Sequence, residues 1–499
     1  MIRRVSGHAS RLASLVCLGA ALSACGTTNV NYVTGESQRG AYTWAQERQL
    51  GTEADQQIVA QFGVYADPDL SSYVNTIAQD VLQTSAYSAP TTPAEIRSTP
   101  FTFRVLDSPV VNAFALPGGF VYVTRGLLAY VENEAQLAVV LGHEIGHVLA
   151  RHSSRQAQRA QLGQLGVVGA AVLGGVLGGS RGGQIAEGIA QYGGAGAQLL
   201  LLRYGRDAER ESDQAGVAYA EFAGYDAAQG ARFFRALKRI TEEGGQSIPS
   251  FLSTHPDPGE REQTILQLAA QTDTGTAIEA AQYLQAIDGI VLGEDPRQGF
   301  SEGSTFYHPE LRFSFDFPTG WNVQNTPQAV QIVEPNGRAA IQFTLVQQAS
   351  AQAAAQAFAS QQGVQTSGAQ RTSINGNPAA VVEGAAASQQ GTTQFTATFI
   401  EYGGNVYQIL GLAPEAVYSQ LRGQLQQSAQ SFERLTNTRY LNRQPSRLDV
   451  TTIPRATSIQ TLLSSRTLPP GVTAEEIAIM NQVTLTETLA SGTRVKLPQ

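Results

Sequence analysis

Residues 134–150 read Glu134-Ala-Gln-Leu-Ala-Val-Val-Leu-Gly-His-Glu-Ile-Gly-His-Val-Leu-Ala150 and contain the most informative pattern in the chain. Their apolar side chains predict a buried helix, and Asn133 followed by Gln136 predicts a capping box at its start. On a helix, His143 and His147 are one turn apart and project from one face, as two ligands of one metal ion must. Glu144 lies beside them, where a carboxylate can take a proton from water.

The two histidines of this helix allow two interpretations. A buried helix does not carry two histidines and a glutamate unless partners satisfy their polar atoms. One interpretation is a pair of hydrogen-bonded core histidines, and the other is a metal site. The apolar context and the spacing favour the metal site, with Zn²⁺ as the ion.

A catalytic zinc site needs a third protein ligand and one open position. The metzincin pattern requires Gly and His where this chain has Ala150 and Ser153, so that class is excluded. His152 lies nine residues after His143, which at about 100° per residue puts it on the opposite helix face. The sequence therefore predicts that His152 is a surface or packing histidine.

The segment from Tyr204 to Tyr219 offers a glutamate on a second helix. Glu209 and Asp213 are four residues apart on one face, and Gly216 on that side would let another helix approach closely. Glu211 points roughly 160° away and is predicted to be solvated. We therefore predict that Glu209 binds zinc and that Asp213 hydrogen-bonds a ligand histidine, the alternative being an ordinary charged helix surface.

Three stretches, in this order, resemble the HtpX/BepA-type zinc peptidases, a family that includes the CAAX prenyl proteases and the mitochondrial protease Oma. They are Asn112-Ala-Phe-Ala-Leu-Pro-Gly-Gly119 with Val121-Tyr-Val-Thr-Arg-Gly-Leu-Leu128, Glu134 to His152, and Arg206-x-x-Glu209-x-Glu211-x-Asp213. The resemblance covers about residues 41–270 and implies a mainly helical zincin-type domain with a small sheet and one zinc per chain. Gly205 and Ser212 depart from the usual Ser and Ala, but neither is a ligand position.

The resemblance extends to Thr254-His-Pro256 and the downstream Arg261. In periplasmic members this loop histidine can approach the metal, which implies that His255 fills the open position in a resting state. The alternative is a turn histidine fixed by its neighbouring prolines. Arg261, like Arg206, is a candidate for stabilising an oxyanion.

Two strands are predicted at 101–106 and 120–123, around a loop from Pro109 to Gly119. An edge strand near a protease cleft can bind an extended substrate by main-chain pairing. We assign this role to the segment 112–119 and the strand after it. The candidate substrate residues are Asn112, Ala113, Phe114, Gly118 and Gly119.

The N-terminus predicts a lipoprotein. A basic start and a short apolar core indicate a signal peptide at 1–24, and Leu22-Ser-Ala-Cys25 resembles the bacterial lipobox. A lipidated Cys25 followed by Gly26 implies an outer-membrane anchor, a polar tether at 25–40 and a body in the periplasm. Loss of the three arginines in 1–24 lowers the net charge from −8 to −11, which argues against nucleic acid as a partner.

Residues 161–202 are rich in Gly and Ala, and Gln161 to Ser180 carries no charge. One interpretation is a transmembrane hairpin, as in the HtpX branch of the family. The other is a Gly-rich helical pair over the active-site face. The many glycines dilute the hydrophobicity and favour the second interpretation.

The overall prediction is an α+β chain of several modules. The zinc metallopeptidase domain at 41–270 is followed by a helical linker at 271–302. An α+β module at 303–436 weakly resembles PsbP/Mog-like domains. Residues 445–499 resemble a LysM module of βααβ order, but Arg455-Ala456-Thr457 stands where LysM usually has Gly-Asp-Thr. The resemblance implies peptidoglycan as a partner, but the altered segment argues against glycan binding. The sequence therefore does not decide whether this module binds peptidoglycan.

Two functions are compatible with these patterns. The first is an outer-membrane-anchored zinc endopeptidase that cleaves unfolded, misfolded or stalled envelope proteins. The second is a chaperone-like or peptidoglycan-binding assembly factor with latent or no cleavage. The intact Glu144 favours the enzyme.

Overall fold

The structure is a computed structural model that describes residues 27–166, 204–243, 255, 258–272, 274–388, 391–469 and 471–499. The predicted signal peptide and Cys25 lie outside these residues, as does most of 161–202. The described chain divides into two units. One contains residues up to 59, 63–290 and 448–499, and the other contains 60–62 and 291–447. The module limits predicted above remain predictions.

The first unit is mainly helical up to residue 290. Its strands are β1 (Thr27–Val30), β2 (Ser37–Gly40), β3 (Thr102–Leu106), β4 (Ala113–Leu116) and β5 (Phe120–Thr124). Its helices are α1 (Trp44–Phe62), α2 (Pro68–Thr84), α3 (Ala94–Arg97), α4 (Arg125–Tyr130), α5 (Glu134–Leu149), α6 (His152–Gly166), α7 (Arg206–Phe222), α8 (Gly230–Glu243), α9 (Pro258–Thr272) and α10 (Ala280–Ala286). Short 3₁₀ turns lie at Ala86–Ser88 and Ala227–Gln229.

The three-stranded sheet has the order β3-β5-β4, with β3 parallel and β4 antiparallel to β5. The predicted strands at 101–106 and 120–123 are confirmed as β3 and β5. The loop between them contains the additional strand β4, which is an edge strand. The strand after Gly119 is central, so the prediction that it binds substrate as an edge is wrong. Both of its edges are occupied by β3 and β4.

The stretch predicted as a polar tether is folded from Thr27 onward. Strands β1 and β2 form an antiparallel hairpin. Tyr32 N donates to Leu149 O at 3.1 Å, and Gln38 Nε2 donates to Ala150 O at 2.7 Å. These bonds satisfy carbonyls at the end of α5 that have no partner within the helix. The hairpin is therefore fixed to the end of α5.

Helix α5 is buried along its whole length, as its apolar sequence predicts. Asn133 is the N-cap, and its side-chain oxygen accepts from Gln136 N at 2.9 Å. The predicted capping box is only half formed, because Gln136 Oε1 accepts from Glu132 N at 3.0 Å rather than from the cap residue.

Helices α5 and α7 cross at glycines, as the position of Gly216 predicts. A Cβ atom at Gly216 would lie 2.8 Å from Val139 O and 2.9 Å from His143 N. A Cβ atom at Gly142 would lie 2.9 Å from Gly216 O. Only glycine allows the two backbones to come this close. The crossing brings the ligand-bearing faces of both helices together.

The second unit is an α+β module. Its strands are β6 (Phe300–Glu302), β7 (Thr305–His308), β8 (Phe313–Asp316), β9 (Asn322–Asn325), β10 (Ala329–Val333), β11 (Ala340–Val346), β12 (Val364–Ile374), β13 (Asn377–Ser388), β14 (Gly391–Tyr402), β15 (Asn405–Pro414) and β16 (Glu433–Arg434). Its helices are α11 (Ala351–Ala359), α12 (Glu415–Gln430) and α13 (Thr438–Leu441), with a 3₁₀ turn at Pro296–Gln298. The strands form one seven-stranded sheet, β12-β13-β14-β15-β11-β10-β9, and one four-stranded sheet, β16-β8-β7-β6. Phe313, Phe343 and Tyr407 belong to its buried core.

The C-terminal segment returns to the first unit with β17 (Leu448–Thr452), α14 (Ile459–Leu463), α15 (Ala474–Met480) and β18 (Arg494–Pro498). Strands β17 and β18 pair antiparallel, which gives the order βααβ. The fully buried Lys496 donates through Nζ to the carbonyls of Ala129 and Val131, each at 2.9 Å, and pairs with Glu132 at 2.6 Å. The segment is thus joined to the loop that precedes α5.

Among the described residues, no helix combines the length and the apolarity needed to cross a membrane. The Gly-rich stretch at 161–202 lies outside that search except for the end of α6. Both interpretations of it therefore stay predictions.

Candidate metal centre

Helix α5 presents His143, Glu144 and His147 in a fully enclosed environment. The three side chains are buried, with at most 2% of each residue exposed. The Nε2 atoms of His143 and His147 lie 2.9 Å apart. Because the residues are one helical turn apart, both rings leave the helix on the same face and converge.

Helix α7 brings Glu209 to the same point. Glu209 Oε1 lies 3.5 Å from His147 Nε2, and Oε2 lies 3.6 Å from His143 Nε2. The side chain of His255 completes a group of four, with Nδ1 3.3 Å from His143 Nε2 and 3.1 Å from Glu209 Oε1. One ligand atom from each of these residues lies within 4.8 Å of all the others.

The donor set and its spacing fit a metal ion. Two imidazoles and a carboxylate are ligands that divalent metals such as zinc use. Ligand atoms about 2.0–2.2 Å from a tetrahedral ion would lie about 3.3–3.6 Å from one another. The separations among His143, His147 and Glu209 range from 2.9 to 3.6 Å. His143, His147 and Glu209 could therefore hold an ion, with His255 in a fourth position.

Burial keeps the histidines in the form that a metal needs. Burial and then the nearby Arg261 lower the pKa of His143 to about 4. Burial, followed by the neighbouring His143, lowers the pKa of His147 well below its ordinary value. Both rings are neutral at physiological pH, so each has a lone pair available for coordination.

Glu144 has the properties of a proton acceptor. Burial raises the pKa of its carboxyl to about 7. Neither carboxylate oxygen accepts a hydrogen bond from a described residue, although His255 Nε2 lies 3.4 Å from Oε1. A buried carboxylate without such bonds is costly to maintain, and its pKa near neutrality suits proton transfer.

Asp213 and Arg261 form a charged pair behind His143. Asp213 Oδ1 lies 3.0 Å from His143 Nδ1, and Arg261 Nε donates to Asp213 Oδ2 at 3.0 Å. Burial would raise the pKa of Asp213, but Arg261 lowers it to about 2. Arg261 also lies 3.5 Å from Glu209 and 4.1 Å above the Phe234 ring. Arg206, by contrast, is exposed at the start of α7.

The sequence-based description of Glu211 is wrong, and that of His152 is incomplete. His152 is 1% exposed, and its Nδ1 lies 2.8 Å from His147 Nδ1. Its Nε2 lies 3.4 Å from Glu211 Oε2. Helix α5 ends before Arg151, whose φ of 57° is left-handed, and α6 begins at His152. This break resets the helical phase, so counting 100° per residue from His143 no longer applies.

The sequence analysis missed Tyr204. Its ring stacks on His147 at a centroid distance of 4.1 Å, and its hydroxyl lies 2.9 Å from Ser153 Oγ. With Leu116 and Pro117, Tyr204 and His147 help to line a small pocket that is partly open to solvent. No periodic or motif signal marks a single tyrosine between α6 and α7, so only the fold could have found it.

Some of the predicted substrate residues lie in or beside strand β4, and the others form the turn that follows it. Ala113 and Phe114 lie in the edge strand β4, and Phe114 stacks on Tyr122 at 4.7 Å. Asn112 precedes the strand, and its Oδ1 is buried without a hydrogen bond from any described residue. Gly118 and Gly119 instead form the turn to β5, with φ of 78° and 96°.

Part of this chain matches a known protein family in sequence. The model of peptidase family M48 matches residues 75–269, which include every residue of the cluster and Arg261. This part of the chain is similar to peptidase family M48. The match and the ligand cluster together indicate a metallopeptidase.

Several named proteins are similar to part of this chain. The beta-barrel assembly-enhancing protease of Yersinia pestis is 31% identical over 255 residues, which cover 50% of each chain. That of Escherichia coli strain K12 is 28% identical over 46% of this chain and 44% of its own. The bovine mitochondrial metalloendopeptidase OMA1 is 32% identical over 34% of this chain and 32% of its own. The chain thus spans about half the length, or less, of these relatives.

Among solved structures, cyanobacterial PsbP from Synechocystis aligns with 29% of this chain and 98% of its own. The TM-score is 0.23 and the identity 15%. A similarity at this level supports no conclusion about function, and the PsbP resemblance of 303–436 remains a prediction.

Proposed function

We propose that this chain is a zinc-dependent endopeptidase that cleaves misfolded or stalled envelope proteins in the periplasm. The observation that supports the proposal most directly is the meeting of His143, His147 and Glu209 beside the buried Glu144. Imidazole and carboxylate ligands next to a carboxylate with a pKa of about 7 suit hydrolysis near neutral pH.

Each residue of the centre then has one task. A bound zinc ion would polarise the scissile carbonyl and lower the pKa of water. Glu144 accepts the proton of the attacking water at a carboxylate oxygen and delivers it to the leaving amine as the C–N bond breaks. Asp213 fixes the ring of His143 through Nδ1. Arg261 holds Asp213 and Glu209, and its role at an oxyanion stays a prediction.

Strand β4 is the proposed platform for substrate. As the edge of its sheet it can pair with an extended peptide, and it is joined by the turn to β5 at Gly118 and Gly119. The buried Oδ1 of Asn112 offers an acceptor next to this strand. An extended substrate requires an unfolded or misassembled chain, because a folded protein seldom offers a free strand.

The substrate class is also suggested by the relatives. The relatives from Yersinia pestis and Escherichia coli are beta-barrel assembly-enhancing proteases. We propose that this chain likewise acts on envelope proteins that have failed to assemble. The chaperone-like or peptidoglycan-binding alternative predicts binding without cleavage. The LysM-like fold that we propose for 445–499 is supported by its βααβ order and not by any glycan contact.

The test of the proposed activity is an incubation of purified protein with an outer-membrane β-barrel protein, once urea-unfolded and once folded in detergent. We expect cleavage of the unfolded form, little cleavage of the folded form, and inhibition by a zinc chelator that added zinc reverses. Suppression of aggregation without cleavage in any condition would instead establish the chaperone-like function.

Anchoring through Cys25 is a separate proposal that rests on the lipobox-like sequence Leu22-Ser-Ala-Cys25. Strand β1 begins at Thr27, so a lipid on Cys25 would hold the first unit close to the membrane. We expect Cys25→Ala to move the protein out of the outer-membrane fraction in sucrose-gradient fractionation, with Cys17→Ala as the control. Unchanged membrane association of Cys25→Ala would contradict the anchor.

We propose that His255 closes the metal site at rest. Its Nδ1 lies among the ligand atoms while its Nε2 faces Glu144, so the ring fills the space that substrate and water need. His255→Ala should therefore raise basal cleavage and leave most zinc in place. The measurement is turnover at equal zinc content. Unchanged turnover would indicate a simple turn histidine, and lost turnover with retained zinc would indicate an oxyanion role instead.

A further inference from the structure

His152 contacts a metal ligand from the side opposite the ligand cluster. His147 Nε2 faces His143 and Glu209, while its other nitrogen, Nδ1, lies 2.8 Å from His152 Nδ1. A histidine that binds a metal through Nε2 carries its proton on Nδ1 and donates it to a partner. Here that partner is an imidazole, where a carboxylate, carbonyl or water is usual.

The tautomer of His152 follows from this contact. To accept at Nδ1, a neutral His152 must carry its proton on Nε2. That nitrogen faces Glu211, with Oε2 at 3.4 Å. Ser212 Oγ lies 3.4 Å from Nδ1, farther than His147. Glu211 thus favours the tautomer that leaves Nδ1 of His152 free to accept.

A residue of the N-terminal hairpin in turn fixes the position of the Glu211 side chain. The buried Asn31 donates through Nδ2 to Glu211 Oε1. The other end of its amide accepts from Val33 N at 2.9 Å and from Thr34 N at 3.2 Å, which determines the orientation of the amide. Arg155 lies 3.5 Å from Glu211 Oε2. The contacts run continuously from the hairpin to the metal ligand.

We infer that His152 is a positioning residue that fixes the ring of His147 for metal binding, with Glu211 and Asn31 fixing His152. The inference rests on the proposed metal centre. It parallels the contact of Asp213 with His143, so that both histidine ligands are oriented through Nδ1. If His152 only filled space in the core, its Nδ1 would not need to accept a hydrogen bond from His147.

A pair of variants separates the two ring nitrogens of His152. In His152→Asn, the side-chain amide lies where Nδ1 of the histidine lies, and its oxygen can accept from His147. In His152→Gln, the longer side chain instead puts the amide at the position of Nε2. We expect His152→Gln to lower zinc affinity about 10–100-fold and His152→Asn to retain most of it. Asn31→Ala should give a smaller decrease than His152→Gln. Ser154→Ala, a buried change on the same helix whose hydroxyl bonds Tyr42 N, should leave affinity unchanged.

Zinc affinity is measured by competition with a chromophoric chelator, and thermal unfolding of the zinc-free proteins is measured in parallel. Equal zinc affinities for His152→Asn and His152→Gln, or a loss that merely follows the unfolding temperature, would overturn the inference. If the parent protein binds zinc and these variants behave alike, only the role of His152 is wrong. If the parent binds no zinc, the proposed function is wrong as well.

Discussion

Glu144→Gln should abolish cleavage of an unfolded β-barrel protein while the zinc content and the fold remain those of the parent. The amide keeps the size and the acceptor oxygen of the carboxylate but cannot take up a proton from water. Loss of a general base typically lowers the rate about 10²–10⁴-fold. Because Glu144 makes no hydrogen bond with a described residue, the change should not disrupt a bonded network.

The chain contains a matched control for this variant. Glu134 is buried in the same helix, but its carboxylate accepts from the hydroxyls of Tyr73 and Tyr225. Glu134→Gln makes the same chemical change more than two helical turns from the ligands and should retain most activity per folded molecule. The measurement is the single-turnover rate at equal zinc content. A Glu144→Gln protein that cleaves at the parent rate would contradict the proposed mechanism.

Removal of a metal ligand should lower cleavage as strongly as Glu144→Gln does, but through loss of the zinc ion. His147→Ala, His143→Ala and Glu209→Ala should each reduce bound zinc from about one per chain to a small fraction, and cleavage should fall with it. Each change removes one of the three protein ligands that a catalytic zinc site requires. Loss of the metal should also leave the remaining buried polar groups without a partner, which lowers stability.

Metal content by mass spectrometry after gel filtration distinguishes this effect from loss of the base. His308→Ala provides the control, because His308 lies at the end of β7 in the second unit. We expect near-stoichiometric zinc in His308→Ala and in Glu144→Gln. Near-stoichiometric zinc in Glu209→Ala would mean that the third ligand is another residue.

Local sequence was sufficient for the residues that lie on two regular helices. The spacing of His143 and His147 and that of Glu209 and Asp213 each correspond to one helical turn, so sequence fixes which side chains share a face. The glycine at 216 marked the side on which α7 approaches α5. These features depend only on contacts within one helix and on the absence of a Cβ atom, both of which can be read without a fold.

The tertiary structure decided what surrounds the ligands. His152 reaches His147 because the left-handed Arg151 ends one helix and restarts another, a break that helical counting cannot anticipate. Glu211 is only partly exposed because the N-terminal hairpin, some 180 residues earlier, contacts it through Asn31. The joining of β18 to the loop before α5 likewise depends on contacts between distant segments. Periodicity determines the face of a helix, but only long-range packing determines what that face meets.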